Sequence, residues 1–189
     1  QFTPKQDERH NHIYMKGWAL VKRELITGIA PKAKPGWLTR RRLRRAVGFF
    51  QAALELAPTN WSTLWALGKI HQRLGEHREA FACFSRASEI DPRQPDVARE
   101  AGIAATQIGA RSDAVRYSKA AIAANPADPG LLANLALALL IDGEVEQARS
   151  VAAEACSRAP DDVASSTVQR LVEEVAAGTR PQPASGRDL

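Results

Sequence analysis

The residues GEHREAFACFSRASEIDP, positions 75–92, set the frame for the whole chain. The same skeleton of glycine, two alanines and proline returns thirty-four residues later in GARSDAVRYSKAAIAANPAD, positions 109–128. It returns again in GEVEQARSVAAEACSRAPDD, positions 143–162, whereas the other residues differ between the three segments. A fixed spacing held mainly at small and stiff residues predicts an internal structural repeat, because backbone geometry and close packing fix such positions.

Seven columns of residues align when the chain is compared with itself at this spacing. The aligned residues are Gly75, Gly109 and Gly143; Ala46, Ala80, Ala114 and Ala148; Ala53, Ala87, Ala121 and Ala155; Pro58, Pro92, Pro126 and Pro160; Leu64, Ala98 and Leu132; Leu67, Ala101 and Leu135; Gly68, Gly102 and Ala136. So many columns in register indicate three to four copies of one unit.

The columns describe a pair of helices. The glycines fall between two helical patterns, where a left-handed residue can end one helix and reverse the chain. The prolines end the second helix, because the residue before a proline is pushed out of helical geometry. The alanines, together with Gly68 and Gly102, let two helices approach closely. Each unit is therefore predicted to be two antiparallel helices joined by a short turn.

The stretch NWSTLWALGKIHQRLGEHREAFACFSRASEIDP, positions 60–92, resembles the consensus of the tetratricopeptide repeat family, and the likeness extends over residues 61–160. The residues that carry it are Leu64, Leu67, Gly68, Gly75, Ala80, Phe84, Ala87 and Pro92. The resemblance implies an all-α fold, a right-handed superhelical solenoid of antiparallel helix pairs with a C-terminal capping helix. The chain departs from the family pattern where smaller or polar residues replace large ones, at His71, Ala105, Leu139, Ser118 and Ala152.

The first helix pair, residues 9–60, is expected to be irregular. A stripe of apolar residues predicts a helix over residues 9–27, and a second helix is expected over residues 40–56 with Thr39 as its N-cap. The stripe consists of Tyr14, Trp18, Val21 and Leu25. A basic loop, residues 28–38, is inserted between the two helices.

Three regular repeats follow, over residues 61–94, 95–128 and 129–162. A capping helix is expected over residues 163–178, with Asp162 at its start and a polar outer face. Its apolar face consists of Val168, Leu171, Val172 and Val175. Residues 1–8 and 179–189 are expected to be disordered, the last because of its polar composition.

Composition indicates a soluble globular chain, with 44% hydrophobic and 25% charged residues. No apolar run is long enough for a membrane span or a secretory signal, and we expect a cytoplasmic protein. The only methionine is Met15, so the chain is interpreted as a fragment or a processed form, and the loss of a targeting segment stays open. Cys83 and Cys156 are too few for a disulfide framework and predict small buried side chains in a reducing compartment.

No catalytic constellation is found in the sequence. His10 and His12 lie in a polar stretch without ligand partners at metal-binding spacing, and His71 replaces a core aromatic residue, which favours a buried structural role. There is no phosphate-binding loop, nucleophile elbow or pair of catalytic carboxylates. We therefore predict a protein that is not an enzyme and that has no catalytic residues, no cofactor and no metal.

The resemblance implies a binding face. In this family the first helices of the units line a concave groove that commonly holds a peptide or a helix. Helical counting away from the core columns gives the groove residues Trp65, Lys69, Gln72, Arg73, Arg99, Ile103, Gln107, Ala133, Asn134, Leu137 and Ile141. Solvated surface, or cover by the N-terminal helix, is the alternative interpretation.

The segment LLANLALALLI, positions 131–141, sharpens this prediction because it is apolar at ten of eleven positions. Core packing needs one face only, so the stripe Ala133, Leu137, Ile141 should point away from the core. Something is expected to cover that stripe: a peptide, a partner helix or another copy of the chain. Leu137→Asp is then expected to abolish partner binding and leave the fold intact.

Some members of the family hold acidic chaperone tails with a clamp of Lys, Asn and Arg. The corresponding positions here hold Trp65, Lys69 and Glu100, without the Asn that helps to hold the terminal carboxylate. A chaperone-tail clamp is therefore not expected.

A second feature is the basic segment KAKPGWLTRRRLRR, positions 32–45, which contains seven cations and no acid. Residues 1–60 hold twelve Lys and Arg against four Asp and Glu, whereas residues 61–189 hold fourteen against seventeen. Cations in the first turn of a helix oppose its dipole, so the cluster favours a use for the charge over a merely solvated surface. Its residues are Lys32, Lys34, Trp37, Arg40, Arg41, Arg42, Arg44 and Arg45.

Three functions remain open at this point. The preferred one is a protein–protein interaction adaptor that binds a peptide or an amphipathic helix of a partner in the groove. The first alternative is a homo-oligomeric scaffold, in which the basic third meets an acidic surface of another copy. The second is nucleic-acid or anionic-membrane binding through residues 32–45.

Overall fold

The computed structural model describes residues 4–26 and 34–188, and over these residues every regular element is an α-helix. Nine helices are described, which confirms the predicted all-α class. Their bounds are α1 Pro4–Ile26, α2 Trp37–Leu56, α3 Trp61–Leu74, α4 His77–Ile90, α5 Pro95–Ile108, α6 Arg111–Ala124, α7 Gly130–Asp142, α8 Val145–Arg158 and α9 Val163–Ala176.

The chain divides into two compact units, Gln1–Asp91 and Pro92–Leu189. In the first unit, α1 packs against α2 and α3, and α3 also packs against α2 and α4. In the second unit, α7 lies at the centre because it contacts each of the other four helices, α5, α6, α8 and α9. Each unit has its own apolar core, around Phe50 and Ile70 in the first and around Leu140 and Val172 in the second.

The glycine column forms the turns that the sequence predicts. Gly75, Gly109 and Gly143 have φ angles of 81°, 71° and 99°, in the left-handed region that favours glycine. At the first of these turns, the N–H of Glu76 donates to the carbonyl of His71 at 2.9 Å, the bond of a Schellman ending. The equivalent bonds follow Gly109 and Gly143, so α3, α5 and α7 all reverse in the same way.

Small residues bring the helices of a pair together. The eight alanines of the two columns that contain only alanine are all buried. A Cβ atom placed on Gly68 would lie 2.6 Å from Cε1 of Phe84, and one on Gly102 would lie 3.0 Å from Oγ of Ser118. The distance at Gly68 is shorter than real Cβ contacts, so that position needs glycine for space, whereas the distance at Gly102 is tight but would need only a small shift of the Ser118 hydroxyl. Gly68 against Phe84 therefore sets the separation between α3 and α4, and two small residues, Gly102 and Ser118, let α5 and α6 approach closely.

The first helix pair differs from its predicted bounds. The prediction that α2 starts at Arg40 with Thr39 as N-cap is wrong: the helix starts at Trp37, and the extended residue before it is Gly36. The N–H of Arg40 donates to the carbonyl of Gly36 at 2.9 Å, which closes the first turn three residues early. Helix α1 starts at Pro4 rather than at Arg9, with proline at a first helical position that tolerates it.

Polar contacts of Asp162 define the start of α9, the last helix of the second unit. The carboxylate of Asp162 accepts hydrogen bonds from the N–H groups of Ala164 at 3.3 Å and Ser165 at 2.9 Å. The hydroxyl of Ser165 also donates to this carboxylate at 2.6 Å, and this bond, together with the two backbone N–H bonds, holds the pKa of Asp162 below its ordinary value because all three favour the charged carboxylate. After α9, residues 179–188, which the sequence led us to expect as disordered, are placed against the unit by specific contacts.

Candidate functional site

The predicted groove residues of the first unit all lie on α3 and are half-buried: Trp65, Lys69, Gln72 and Arg73. Trp65 packs against the apolar core of this unit rather than standing in solvent. Its indole N–H is buried and has no acceptor among the described residues. The side chains on this face of α3 are therefore only partly accessible to a partner. Trp65 packs against the core and is also partly exposed.

The predicted groove residues of the second unit lie on α5 and α7, which are neighbours. On α5, Arg99, Ile103 and Gln107 are half-buried and repeat every fourth residue. The guanidinium of Arg99 lies 3.0 Å from the carboxylate of Asp96 and 3.7 Å from that of Glu100. On α7, Asn134 and Leu137 are half-buried.

The structure corrects the prediction that Ala133, Leu137 and Ile141 form an uncovered stripe. Ala133 is 4% exposed and Ile141 is fully buried. Ala133 packs in a cluster with Leu132 and Ala155, and Leu137 packs against the core of the unit. The stripe is covered by the chain itself, because α7 has other helices of its own unit around it.

A chain segment that the sequence analysis did not place in the site lies across the ends of α5 and α7. We call residues 179–188 the C-terminal tail. The N–H of Gly186 donates to the carbonyl of Thr106, in the last turn of α5, at 2.8 Å. A Cβ atom on Gly109 would lie 3.0 Å from the carbonyl oxygen of Ala184, and one on Gly143 would lie 3.4 Å from the side-chain nitrogen of Gln182. The tail therefore passes over the C-terminal turns of both helices.

The tail is held in shape by a turn of its own. The carboxylate of Asp188 accepts from the N–H groups of Ala184 at 3.0 Å and Ser185 at 2.8 Å. The side chain of Pro183 is buried. The signals in the sequence were the two prolines, which exclude helix, and the Ser–Asp spacing, which is typical of a capped turn. Neither signal indicates the surface against which the tail packs. The tail is also not part of the repeat, so comparison of the chain with itself could not predict this contact.

The basic segment is placed on the outer side of α2 and just before it. Its described residues are all exposed: Lys34, Trp37, Arg40, Arg41, Arg42, Arg44 and Arg45. Lys32, also predicted for this patch, lies outside the described residues. Arg44 forms an ion pair with Glu76, and the guanidinium of Arg45 lies 6.0 Å from the centre of the Phe49 ring. The structure thus brings these predicted residues together on one surface.

Two predicted structural residues occupy buried or half-buried positions. His71 is buried, and its Nδ1 lies 2.7 Å from the carboxylate of Glu76, which also holds Arg44. Cys83 is half-buried, and burial raises the pKa of its thiol to about 11, with smaller opposing effects of Arg86, which lowers it, and Glu79, which raises it. A thiol with so high a pKa is a poor nucleophile at neutral pH.

Among residues 4–26 and 34–188, no three His, Cys, Asp or Glu side chains come together as a possible metal site. Within the same ranges, no helix combines the length and the apolar character needed to cross a membrane.

Comparisons with known proteins agree with the repeat frame. Two tetratricopeptide repeat profiles match residues 62–94 and 96–163, together more than half of the 189 residues. Among curated proteins, the chain is similar to the BBSome complex member BBS4 of Mus musculus, with 24% identity over 137 residues. That match covers 69% of this chain but only 26% of the relative's length.

Solved structures share the helical architecture. A crystal structure of MamA has a TM-score of 0.71 and 18% identity, and the match covers 88% of this chain and 84% of that one. YrrB, described as a TPR protein with an unusual peptide-binding site, has a TM-score of 0.64 and 19% identity over 75% and 73% of the two chains. The first TPR of Spaghetti (RPAP3), bound to the HSP90 peptide SRMEEVD, has a TM-score of 0.56 and 17% identity over 62% and 93%. At these identities the likeness establishes the fold alone.

Proposed function

The chain belongs to the tetratricopeptide repeat family, and from that premise we propose that it is a non-enzymatic interaction adaptor whose second unit holds an extended segment of a partner protein. The observation that carries this proposal is the C-terminal tail, a non-helical segment lying across the ends of α5 and α7. A surface that binds this non-helical segment of the chain is suited to bind a non-helical segment of a partner protein. The half-buried side chain of Gln107 on α5 lies beside it, against Gly186.

Backbone chemistry explains why this edge favours an extended chain. The carbonyl of Thr106 already accepts from the N–H of Gly109 at 3.2 Å, but a carbonyl oxygen has two lone pairs and can accept a second hydrogen bond. The N–H of Gly186 satisfies the carbonyl of Thr106 in this way. A partner's backbone N–H would do the same whatever its side chains are, which gives affinity without sequence selectivity.

Selectivity would come from the space at Gly186. A Cβ atom there would lie 2.7 Å from the side-chain nitrogen of Gln107 and 3.3 Å from its Cα. The side chain of Gln107 would have to move, and the backbone contact, although longer, is also tight. The site is therefore expected to accept glycine at this position and to reject larger residues.

The test uses the tail as its own probe. A variant ending at Gly178 is mixed with a fluorescent peptide TRPQPASGRD, residues 179–188, and binding is followed by anisotropy. We expect saturable binding to the shortened variant and much weaker binding to the full chain, whose own tail competes at an effective concentration on the order of millimolar. Circular dichroism checks that the shortened variant is folded.

Two altered peptides serve as matched controls. Gly186→Val in the peptide should weaken binding at least about tenfold, because of the clash with Gln107. Arg187→Ala should leave binding unchanged, since Arg187 is exposed. If the folded variant binds no peptide, or if Gly186→Val binds as well as the parent peptide, this surface is not the partner site.

A further inference from the structure

The outer side of α2 combines exposed apolar side chains with arginines, and the proposed adaptor function does not involve these residues. Trp37 and Leu38 are 69% and 64% exposed, among the most exposed large apolar residues of the described chain. They are neighbours in the first turn of the helix, and exposed arginines follow them at Arg40, Arg41, Arg44 and Arg45. We call these six residues the basic face. An exposed apolar pair beside clustered cations requires an explanation, because isolated apolar residues are normal but such a combination is not.

Helical geometry aligns the basic face along one side of α2. At 3.6 residues per turn, Arg41, Arg44 and Arg45 follow Trp37 by four, seven and eight residues, so the four residues share one stripe. The opposite side of the helix is occupied by buried residues such as Leu43 and Phe50. The core of the first unit thus orients the helix and fixes which side chains face outward.

The charge on this face opposes local helix stability. The first turn of α2 contains no acidic residue, and the sequence has no Asp or Glu between Leu25 and Leu54. Cations at a helix N-terminus are unfavourable, because they meet the positive end of the helix dipole. The arrangement is explained if an anionic surface is the intended neighbour.

We propose that the basic face docks the chain on an anionic membrane surface. Trp37 and Leu38 enter the boundary between head groups and acyl chains, and the guanidinium groups of Arg41 and Arg45 contact lipid phosphates, whereas Arg44 is paired with Glu76. Guanidinium suits phosphate because its N–H groups match two phosphate oxygens. Tryptophan favours the membrane interface, and paired apolar and electrostatic signals are what stable peripheral binding requires.

Leu38 decides between a lipid surface and nucleic acid, since both offer phosphates. Trp37 could stack on a base, and the arginines could follow a phosphate backbone. An exposed leucine gains nothing in that arrangement, whereas a membrane boundary buries it together with Trp37. The geometry therefore favours lipid, and it predicts that Leu38 contributes to binding.

The experiment uses the full chain and vesicles of phosphatidylcholine with or without about one third phosphatidylglycerol. We expect sedimentation with the anionic vesicles only, decreasing as salt is raised. Four tryptophans are present, but Trp18, Trp61 and Trp65 are half-buried. Brominated lipid should therefore quench chiefly Trp37, and Trp37→Phe should remove most of the quenching.

Variants test each part of the basic face against matched controls. Leu38→Ala and the double change Arg41→Gln with Arg45→Gln should each weaken vesicle binding about tenfold or more. Val163→Ala removes a side chain that is 76% exposed elsewhere, and Arg170→Gln removes an exposed arginine of α9. Both controls should bind as the parent does. All changed residues are exposed, so thermal melting is expected to show folded variants.

Three outcomes overturn the proposal. One is absence of binding to the anionic vesicles at low salt. Another is vesicle binding that the basic-face variants and the two controls weaken equally. The third is salt-sensitive binding of single-stranded RNA with no loss on Leu38→Ala and no vesicle binding, which would assign the face to nucleic acid.

Discussion

Two glycines inside helices of the first unit have opposite surroundings. Gly68, on α3, faces Phe84, whose ring is fully buried and cannot move away. Gly48, on α2, has no atom within 4 Å of where a Cβ would stand. Replacement by alanine raises the helix propensity at both positions. A difference between the two changes in the free energy of unfolding therefore reports the space around the new methyl group.

We expect Gly68→Ala to destabilise the chain and Gly48→Ala to stabilise it. Overpacking against Phe84 should lower the free energy of unfolding by about 1–3 kcal/mol. At Gly48 the change should raise it by about 0.5–1 kcal/mol, because alanine loses less backbone freedom on folding. Urea unfolding measured by circular dichroism gives both values. Equal shifts in the same direction would mean that the close approach of α3 and α4 is misplaced.

Helix α7 shows what periodicity alone misses. Its sequence predicts an apolar residue on every side, and the inference that a partner must cover the surplus side was wrong. The covering comes from the chain, since α7 contacts all the other helices of its unit, including the capping helix α9. Counting faces within one helix pair omits such neighbours, because they come from other repeats.

This correction reverses the effect expected for one substitution in α7. Leu137 packs against the core that contains Leu140 and Val172, so Leu137→Asp should destabilise the second unit by about 2 kcal/mol or more. Asn134→Asp adds the same charge on the same helix at a half-buried polar position and should have a much smaller effect. Thermal unfolding of the two variants measures the difference. Comparable melting temperatures would restore the idea that Leu137 serves binding rather than the fold.

At the scale of the whole chain, the repeat frame was predictable and the irregular ends were not. Glycine turns and small-residue columns repeat, so comparison of the chain with itself locates α3 to α8. The start of α2 at Trp37 depends on a single turn closed by Gly36, and the tail contact depends on Gly186 meeting Thr106, eighty residues away in sequence. A contact that occurs only once in the chain produces no repeated pattern in the sequence, so comparison of the chain with itself cannot predict it. Within the candidate site, the basic face could be predicted from the sequence because its cations are clustered. The position of the tail could not be predicted from composition.

Charge is unevenly divided between the two units. The first unit holds sixteen Lys and Arg against eight Asp and Glu, and the second holds ten against thirteen. Many acids of the second unit already have arginine partners within it. These ion pairs are Asp96–Arg99, Asp113–Arg116, Glu154–Arg158, Glu173–Arg149 and Glu174–Arg180. An approaching basic face would therefore compete with existing contacts at these five acids.

We therefore expect a monomer at physiological salt, against the homo-oligomeric alternative. Exposed ion pairs contribute only about 0–1 kcal/mol each, and charges are screened beyond about 8 Å at this ionic strength. Light scattering after size exclusion should give the mass of one copy over a tenfold range of concentration.

A control at low salt makes the monomer prediction decisive. A larger mass that falls as salt is raised would show charge-driven self-association. The double variant Arg41→Gln with Arg45→Gln then identifies the surface: if it restores the monomer, the basic face binds another copy. In that case the same arginines could not contact lipid within the assembly, and vesicle binding should weaken as protein concentration rises. A monomer that binds vesicles equally well at every concentration leaves the basic face available to the membrane.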